Sequence, residues 1–321
     1  MGIKSILILL YLTNMVLSSF SQLSPIWVSL KKGSYELGFK STFEFDHSRM
    51  YFYLSSPAIY KNTIYFGSGN GYLYAINKVN GKEIWKYKTN GIIHSSPAIA
   101  FGIVYFVGWD TYMYAVNAKT GKEVWKFKID EDTVNYNQTG ITSSPSISDS
   151  MIYFGCRDSW LYAVEALSGQ LAWKKYNDDT RICATPVIYK NKVMYGSGKQ
   201  QKFNVLNKTS GDSIYQIKTT DYFSSPSIAG NTFYFGDYIG FINARDVHTG
   251  KIIWSYQLPS SLADTFKILN PDHIFNPEKY TIAHEKFKHK ITELQIRFSV
   301  GTILSSSVIK NGELYVGSCD G

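Results

Sequence analysis

The amino-acid sequence predicts an all-β protein built from one four-stranded unit that repeats along the chain. The first observation is a Ser-Ser-Pro motif that begins at residues 55, 95, 143 and 224, with Ala-Thr-Pro at 184 and Ser-Ser-Ser at 305. The second is composition, since 25 Tyr, 19 Phe and 7 Trp accompany 25 Gly, and aromatic residues favour strands whereas glycine favours turns. The third is the period of about 40 residues, which is typical of one blade of a β-propeller.

The first copy shows the four predicted strands in order. They are SPAIYKN (56–62), TIYFGSGN (63–70), YLYAINK (72–78) and KEIWKYKT (82–89). Asn80-Gly81 separates the last two, and Asn-Gly between alternating segments indicates a tight hairpin turn. One such sheet cannot bury both faces alone, but blades stacked in a closed ring bury their faces and leave few free edges.

The third and fourth strands carry a spaced pattern, Ala-x-Asn-x-x-x-Gly-x-x-x-Trp, with looser variants in later copies. Glycine supplies a positive φ at the turn, and the aromatic residue of the outermost strand offers a large surface to the next blade. The predicted docking residues are Gly81, Gly121, Gly169, Gly211 and Gly250, paired with Trp85, Trp125, Trp173, Tyr215 and Trp254.

This spacing resembles the tryptophan-docking motif of the PQQ-like repeat family, the quinoprotein alcohol dehydrogenase-like propellers. The resemblance covers about 55–258 well and 293–321 partly. It implies an all-β propeller, and the repeats predict about seven four-stranded blades, with six to eight compatible with the pattern. The chain is similar to a non-catalytic branch of that family, the propeller subunit of the outer-membrane β-barrel assembly machinery.

The repeats define a single propeller domain over 22–321. Five blades are predicted at about 55–94, 95–142, 143–183, 184–223 and 224–258. A degenerate blade or an insertion follows at about 259–292, and the last unit, 305–321, contains two strands. Either the N-terminal segment 24–45, where Ile26-Trp27 resembles a fourth strand, completes this blade, or the sequence is truncated.

The N-terminus predicts export. Residues 1–21 contain one lysine, an apolar run and small residues at a cleavage position, which is typical of a secretory signal peptide. An uncleaved anchor is the alternative, but the apolar run is short for a bilayer. We expect a periplasmic or extracellular monomer that does not span the membrane after cleavage. The three cysteines, at 156, 183 and 319, predict no framework of disulfides.

The site chemistry of the resembled dehydrogenases is not found in the sequence. That family implies pyrroloquinoline quinone (PQQ) and calcium, held near an adjacent Cys-Cys pair, a Trp floor and carboxylate ligands. No Cys-Cys pair occurs, so we assign no catalytic, cofactor or metal residue and keep a PQQ- or metal-dependent oxidoreductase as the alternative function. His284 and His289 lack the spacing of a metalloprotease motif.

The turns between second and third strands differ between copies and form the candidate partner rim. A ring of mixed charge and aromatic residues suits protein capture, although ordinary turn variation is the alternative for each residue. The net charge of +8 is spread along the chain, so no nucleic-acid partner is predicted. We therefore expect a non-catalytic protein-binding scaffold of unidentified partner. Its candidate residues are Trp109, Asp110, Arg157, Asp158, Trp160, Asp237 and Tyr238, and the long connections 129–141 and 259–292 are a second candidate surface.

Overall fold

The computed structural model describes a chain of short antiparallel strands. The described residues are 55–130, 143–197, 202–219, 224–237, 239–259, 279, 303 and 305–318, together with the backbone of 28–31, 34–37 and 41–44. These last three segments are strands β1 (Val28–Lys31), β2 (Ser34–Leu37) and β3 (Ser41–Glu44), which form one antiparallel sheet. Among the described residues, no helix is long and apolar enough to cross a membrane.

Five four-stranded sheets follow, and in each the strands lie side by side in chain order. This confirms the predicted all-β propeller of four-stranded blades, whereas the number of about seven blades stays a prediction. Their strands are β4 (Ala58–Tyr60), β5 (Thr63–Gly67), β6 (Tyr72–Asn77), β7 (Glu83–Lys88), β8 (Ala98–Ala100), β9 (Ile103–Gly108), β10 (Tyr112–Asn117), β11 (Glu123–Lys128), β12 (Ser146–Ser148), β13 (Met151–Gly155), β14 (Trp160–Glu165), β15 (Leu171–Tyr176), β16 (Val187–Tyr189), β17 (Lys192–Ser197), β18 (Lys202–Asn207), β19 (Ser213–Lys218), β20 (Ser227–Ala229), β21 (Thr232–Gly236), β22 (Phe241–Asp246) and β23 (Ile252–Gln257).

The core lies between neighbouring blades. In the first four blades, consecutive residues of the second and third strands are buried, so both faces of these strands are covered. Leu73 and Ala75 of the first blade, for example, pack in one cluster with Val104 and Phe106 of the second. Because each interface takes side chains from two blades, no blade holds a complete core of its own.

The docking aromatics join one blade to the next. Trp85 donates its indole N–H to the carbonyl oxygen of Ala118 at 3.0 Å, and its ring lies against Gly121 of the second blade, where an added Cβ would be 2.7 Å from Trp85 Cδ2. Gly121 has a φ of +70°, so the turn and the close approach both favour glycine. The same bond is made by Trp125 to Ala166, by Trp173 to Lys208 and by the Tyr215 hydroxyl to Val247.

The two serines of the repeated motif have separate structural roles. The first one binds within its own blade, as Ser55 Oγ accepts the backbone N–H of Gly67 at 3.0 Å. The second one binds the preceding blade, as Ser96 Oγ accepts the backbone N–H of Ser56 at 2.8 Å. The motif therefore fixes both the inner strand of a blade and the spacing between blades.

The unit that begins at Ser305 packs directly against the fifth blade. It supplies β24 (Val308–Lys310) and β25 (Glu313–Tyr315), which form a two-stranded sheet. Ser307 Oγ donates to the carbonyl oxygen of Tyr234 at 3.1 Å. The backbone N–H of Ile303 donates to the carbonyl oxygen of Asp237 at 3.0 Å. Cys319 lies outside the described residues.

Candidate functional site

The turns after the second strands lie on one face of the propeller with the connections between blades. The backbone N–H of Trp109 donates to the carbonyl oxygen of Ile92 at 2.9 Å, and the backbone N–H of Ile182 donates to the carbonyl oxygen of Cys156 at 3.0 Å. We call this surface the loop face; its described turns are 68–71, 109–111 and 156–159, and its described connections are 89–94 and 177–183. The long connections leave from the same face, because β11 and β23 end there. Residues 131–142, 260–278 and 280–302 themselves, with His284 and His289, lie outside the described residues.

Trp109 and His94 form an aromatic pair on the loop face. Their ring centroids are 4.8 Å apart in an edge-to-face arrangement. Burial lowers the pKa of His94 to about 4, so the imidazole is neutral at pH 7. The buried Nδ1 of His94 and the buried indole Nε1 of Trp109 have no hydrogen-bond partner among the described residues. This pair therefore combines an apolar surface with unused hydrogen-bonding capacity.

Asp110 ties two blades together. Its Oδ2 accepts the backbone N–H of Asn90 at 2.8 Å and the hydroxyl of Tyr114 at 2.7 Å. The buried position and the nearby carboxylate raise the pKa of Tyr114, so the phenol stays protonated and donates. A predicted rim residue thus has a structural role at the joint between the first and second blades.

Three charged rim candidates are buried, which corrects the exposure expected of them. Arg157 and Asp158 are each 6% exposed, and Asp237 is 5% exposed. The carboxylates fold back to close their own turns. Asp158 Oδ1 accepts the backbone N–H of Trp160 at 3.1 Å, and Asp237 Oδ1 accepts that of Ile239 at 3.1 Å. Aspartate is common at such turns because its short side chain reaches the backbone two residues ahead. Tyr238 lies outside the described residues.

Trp160 also lies on the loop face and is half-buried. Its ring centroid lies 5.0 Å from that of Tyr176, and Lys174 Nζ lies 4.5 Å above the indole. Trp160 begins the third strand of its blade, whereas Trp109 follows the second strand. The two tryptophans are therefore at different repeat positions on neighbouring blades.

The cysteines near this face are not joined. Cys156 and Cys183 are both free thiols, and burial raises the pKa of Cys183 to about 11. Burial likewise raises the pKa of Cys156. Neither thiol is therefore activated as a nucleophile at neutral pH.

The described residues do not supply the ligands of a calcium site. Within the described part of the chain, no three His, Cys, Asp or Glu side chains lie close enough together to hold a metal ion. Calcium requires six to eight oxygen ligands, and the nearest carboxylates on the loop face already accept bonds from turns and tyrosines. We therefore derive no chemical step through such a group.

Solved structures with a similar arrangement differ widely in sequence. BamB from Moraxella catarrhalis is 15% identical, with 81% of this chain and 77% of that chain covered at a TM-score of 0.48. A europium-containing methanol dehydrogenase is 15% identical at a TM-score of 0.57, with 69% of this chain covered but only 54% of the dehydrogenase. The computationally designed protein Ika8 is 13% identical, with 92% and 80% covered and a TM-score of 0.59. At these identities the likeness concerns the fold alone.

Sequence comparison is more specific. The search of the curated proteins gave no match. The family model described as outer membrane protein assembly factor BamB matches residues 44–256, which is more than half of the chain and includes all five complete blades up to Tyr256. The chain therefore belongs to the family of the outer membrane protein assembly factor BamB.

Proposed function

We propose that the chain is an exported, non-catalytic propeller that binds a protein partner through its loop face during the assembly of outer-membrane proteins. The family match over 44–256 is the observation that carries this proposal. The N-terminal residues 1–21 have the composition of a secretory signal, which agrees with such a compartment.

The loop face supports the proposal physically. Trp109 and Trp160 are half-buried there, and aromatic side chains that are partly covered yet reachable are frequent anchors in protein interfaces. Two long connections leave from this face, and long loops carry binding functions more often than short ones.

Affinity capture tests the proposal. The mature chain from Gln22 is immobilised and exposed to an envelope extract of its own host, and bound proteins are identified by mass spectrometry. We expect capture of a component of outer-membrane protein assembly that Trp109→Ala and Trp160→Ala each weaken.

Matched controls lie on the opposite face of the propeller. Val79 and Leu167 are exposed in the turns between third and fourth strands, at 79% and 61%. Val79→Ala and Leu167→Ala remove exposed apolar groups from that face and should leave capture unchanged. Equal loss in all four variants, or no capture of an assembly component, would contradict the proposal.

The oxidoreductase alternative predicts a different result. Adding calcium and quinone to the mature chain should then change the quinone absorbance, and binding should protect the protein against thermal unfolding. We expect neither change.

A further inference from the structure

The face opposite the loop face carries the turns that join first to second strands and third to fourth strands. In the first two blades these turns contain five lysines and no carboxylate, with the lysines at positions 61, 78, 82, 119 and 122. We call this surface the basic turn patch, and its turns are 60–63, 77–82, 100–103 and 117–122.

The four turns of the basic turn patch are joined by hydrogen bonds. The backbone N–H of Lys78 donates to the carbonyl oxygen of Asn62 at 2.8 Å, which links the two turns of the first blade. The backbone N–H of Ala118 donates to the carbonyl oxygen of Gly102 at 2.8 Å and links those of the second. The docking of Trp85 onto Ala118 joins the two blades. The lysines of both blades therefore act on one surface.

The patch lysines have no carboxylate partner among the described residues. Four of the five are exposed, and Lys78 is half-buried. The nearest carboxylates in the sequence begin the following strands and are already paired. Glu83 lies 3.5 Å from Lys86, and Glu123 lies 3.9 Å from Lys126. The positive charge of the patch is therefore not neutralised within the described part of the chain.

Two apolar side chains stand at the tips of these turns. Val79 is 79% exposed and Phe101 is 56% exposed. Phe101 also has a φ of +55°, a backbone conformation that is rare for bulky residues. Neither the turn nor the core explains a phenylalanine here, because the turn favours glycine or asparagine and the ring is exposed. The equivalent positions of other blades hold Lys61, Asp149, Lys190, Gly230 and Asn311.

Separate apolar tips among lysines fit an anionic membrane surface better than a protein surface. Protein interfaces are depleted in lysine and have a packed apolar centre. At a membrane surface, phenylalanine enters the boundary between headgroups and acyl chains, while lysine keeps its ammonium group among the anionic headgroups. The composition of the patch therefore matches a bilayer that carries negative charge.

We propose that the basic turn patch docks the propeller onto an anionic lipid bilayer. Phe101 and Val79 enter the headgroup region, and the five lysines contact the anionic headgroups. Each lysine near such a surface strengthens binding about fivefold. Because the bilayer lies against the opposite side of the propeller, the loop face stays open to a protein partner. The docking does not depend on the identity of that partner.

Sedimentation with lipid vesicles tests the docking. The mature chain from Gln22 is mixed with vesicles of phosphatidylcholine alone, or with vesicles in which about one quarter of the lipid is phosphatidylglycerol. We expect binding to the anionic vesicles that is about tenfold or more tighter than binding to phosphatidylcholine alone. High salt should weaken it, because salt screens interactions between exposed charges.

Two variants separate the charge of the patch from its aromatic tip. A chain with both Lys119→Gln and Lys122→Gln should bind the anionic vesicles about 25-fold more weakly, since each lysine contributes about fivefold. Phe101→Asn introduces a residue that tolerates the left-handed backbone. It should therefore raise the thermal midpoint of the protein while it weakens vesicle binding, a combination that a purely structural role of Phe101 would not give.

Leu167 provides the matched control on the same face. It is 61% exposed, but the turns of its blade contain no lysine and two carboxylates, Asp149 and Glu165. Leu167→Asn should leave vesicle binding unchanged. Val79→Ala remains a control for capture of the protein partner, because that partner binds the other face.

Three outcomes would overturn the proposal. The first is the absence of binding to the anionic vesicles. The second is equal loss of vesicle binding in Phe101→Asn and Leu167→Asn. The third is binding of soluble polyglutamate that is at least as tight as binding of the anionic vesicles, which would assign the patch to an acidic protein segment instead.

Discussion

Ser225 donates its backbone N–H to Ser306 Oγ at 3.3 Å, although the two residues are 81 positions apart. The same bond between Ser56 and Ser96 spans 40 positions. The fifth blade and the unit at Ser305 are therefore neighbours in the ring. About one repeat length of sequence separates Gln257 from Ile303, and both of these residues lie at the loop face.

This adjacency predicts that the intervening chain can be shortened. The connection between Tyr176 and Ile182 joins equivalent points with the five residues Asn-Asp-Asp-Thr-Arg. Replacing 258–302 by these five residues should leave the propeller folded, with a thermal midpoint within a few degrees of the original, because shortening a loop changes closure entropy little. Circular dichroism on heating measures it. Loss of cooperative unfolding would show that the segment is an integral blade.

Each docking tryptophan should stabilise the folded state in two ways, through the packing of its ring and through its indole hydrogen bond. Trp125→Ala removes both and should lower the free energy of unfolding by about 2–4 kcal/mol. Trp125→Phe keeps most of the ring contact with Gly169 but loses the N–H donated to Ala166, so we expect a loss of about 1 kcal/mol. Urea denaturation measures both, and equal midpoints for the two variants would contradict this division.

Two glycines separate backbone strain from close packing. Gly169 and Gly102 have φ values of +73° and +72°. A Cβ at Gly169 would lie 2.7 Å from Trp125 Cδ2, whereas a Cβ at Gly102 would meet nothing within 4 Å. Gly102→Ala should therefore cost about 1 kcal/mol of stability for the left-handed backbone. Gly169→Ala should cost distinctly more, because the indole must also move. Equal costs would mean that the ring shifts freely.

The free energy of unfolding should decrease as the pH is lowered, because folding keeps His94 unprotonated. Burial lowers the pKa of the folded state from 6.5 to about 4, so the unfolded chain binds a proton that the folded one does not between these values. The stabilisation is complete above about pH 6.5 and is lost as the pH falls toward 4, by up to about 3 kcal/mol. His94→Gln should flatten this part of the stability profile, measured by urea denaturation at several pH values. An unchanged slope would assign the effect to other groups.

The sequence predicted those features whose cause is local. The Gly81 turn and the strand that carries Trp85 follow from residue types within one hairpin, so spacing alone identified them. The burial of Asp158 and Asp237 has a less local cause. Each carboxylate is buried because it accepts a backbone N–H near the start of the following strand, and the sequence does not show which N–H groups need such an acceptor. Asn70 accepts the N–H of Tyr72 in the same way, and the shared acidic or amide residue in these turns was the available signal.

Contacts between blades were less accessible to sequence reasoning. The second serine of the motif binds a backbone amide in another blade, and nothing within its own repeat requires that partner. Trp254 fits the docking pattern as well as Trp125 does, yet it is exposed in the structure, because a pattern identifies a donor and not its acceptor. The fold was therefore predictable from one repeat, but the ring's irregularities were not.

Every docking bond runs from a blade to the one that follows it in the chain. The acceptor carbonyl lies 33, 41, 35 and 32 residues beyond its aromatic donor in successive pairs. During synthesis each newly made blade must therefore wait for roughly one further repeat before its aromatic side chain is covered. At about 5–20 residues per second, that delay lasts about two to eight seconds. Throughout elongation, the most recently completed blade of the nascent chain thus exposes an aromatic side chain on its outermost strand, which is a site for unwanted association.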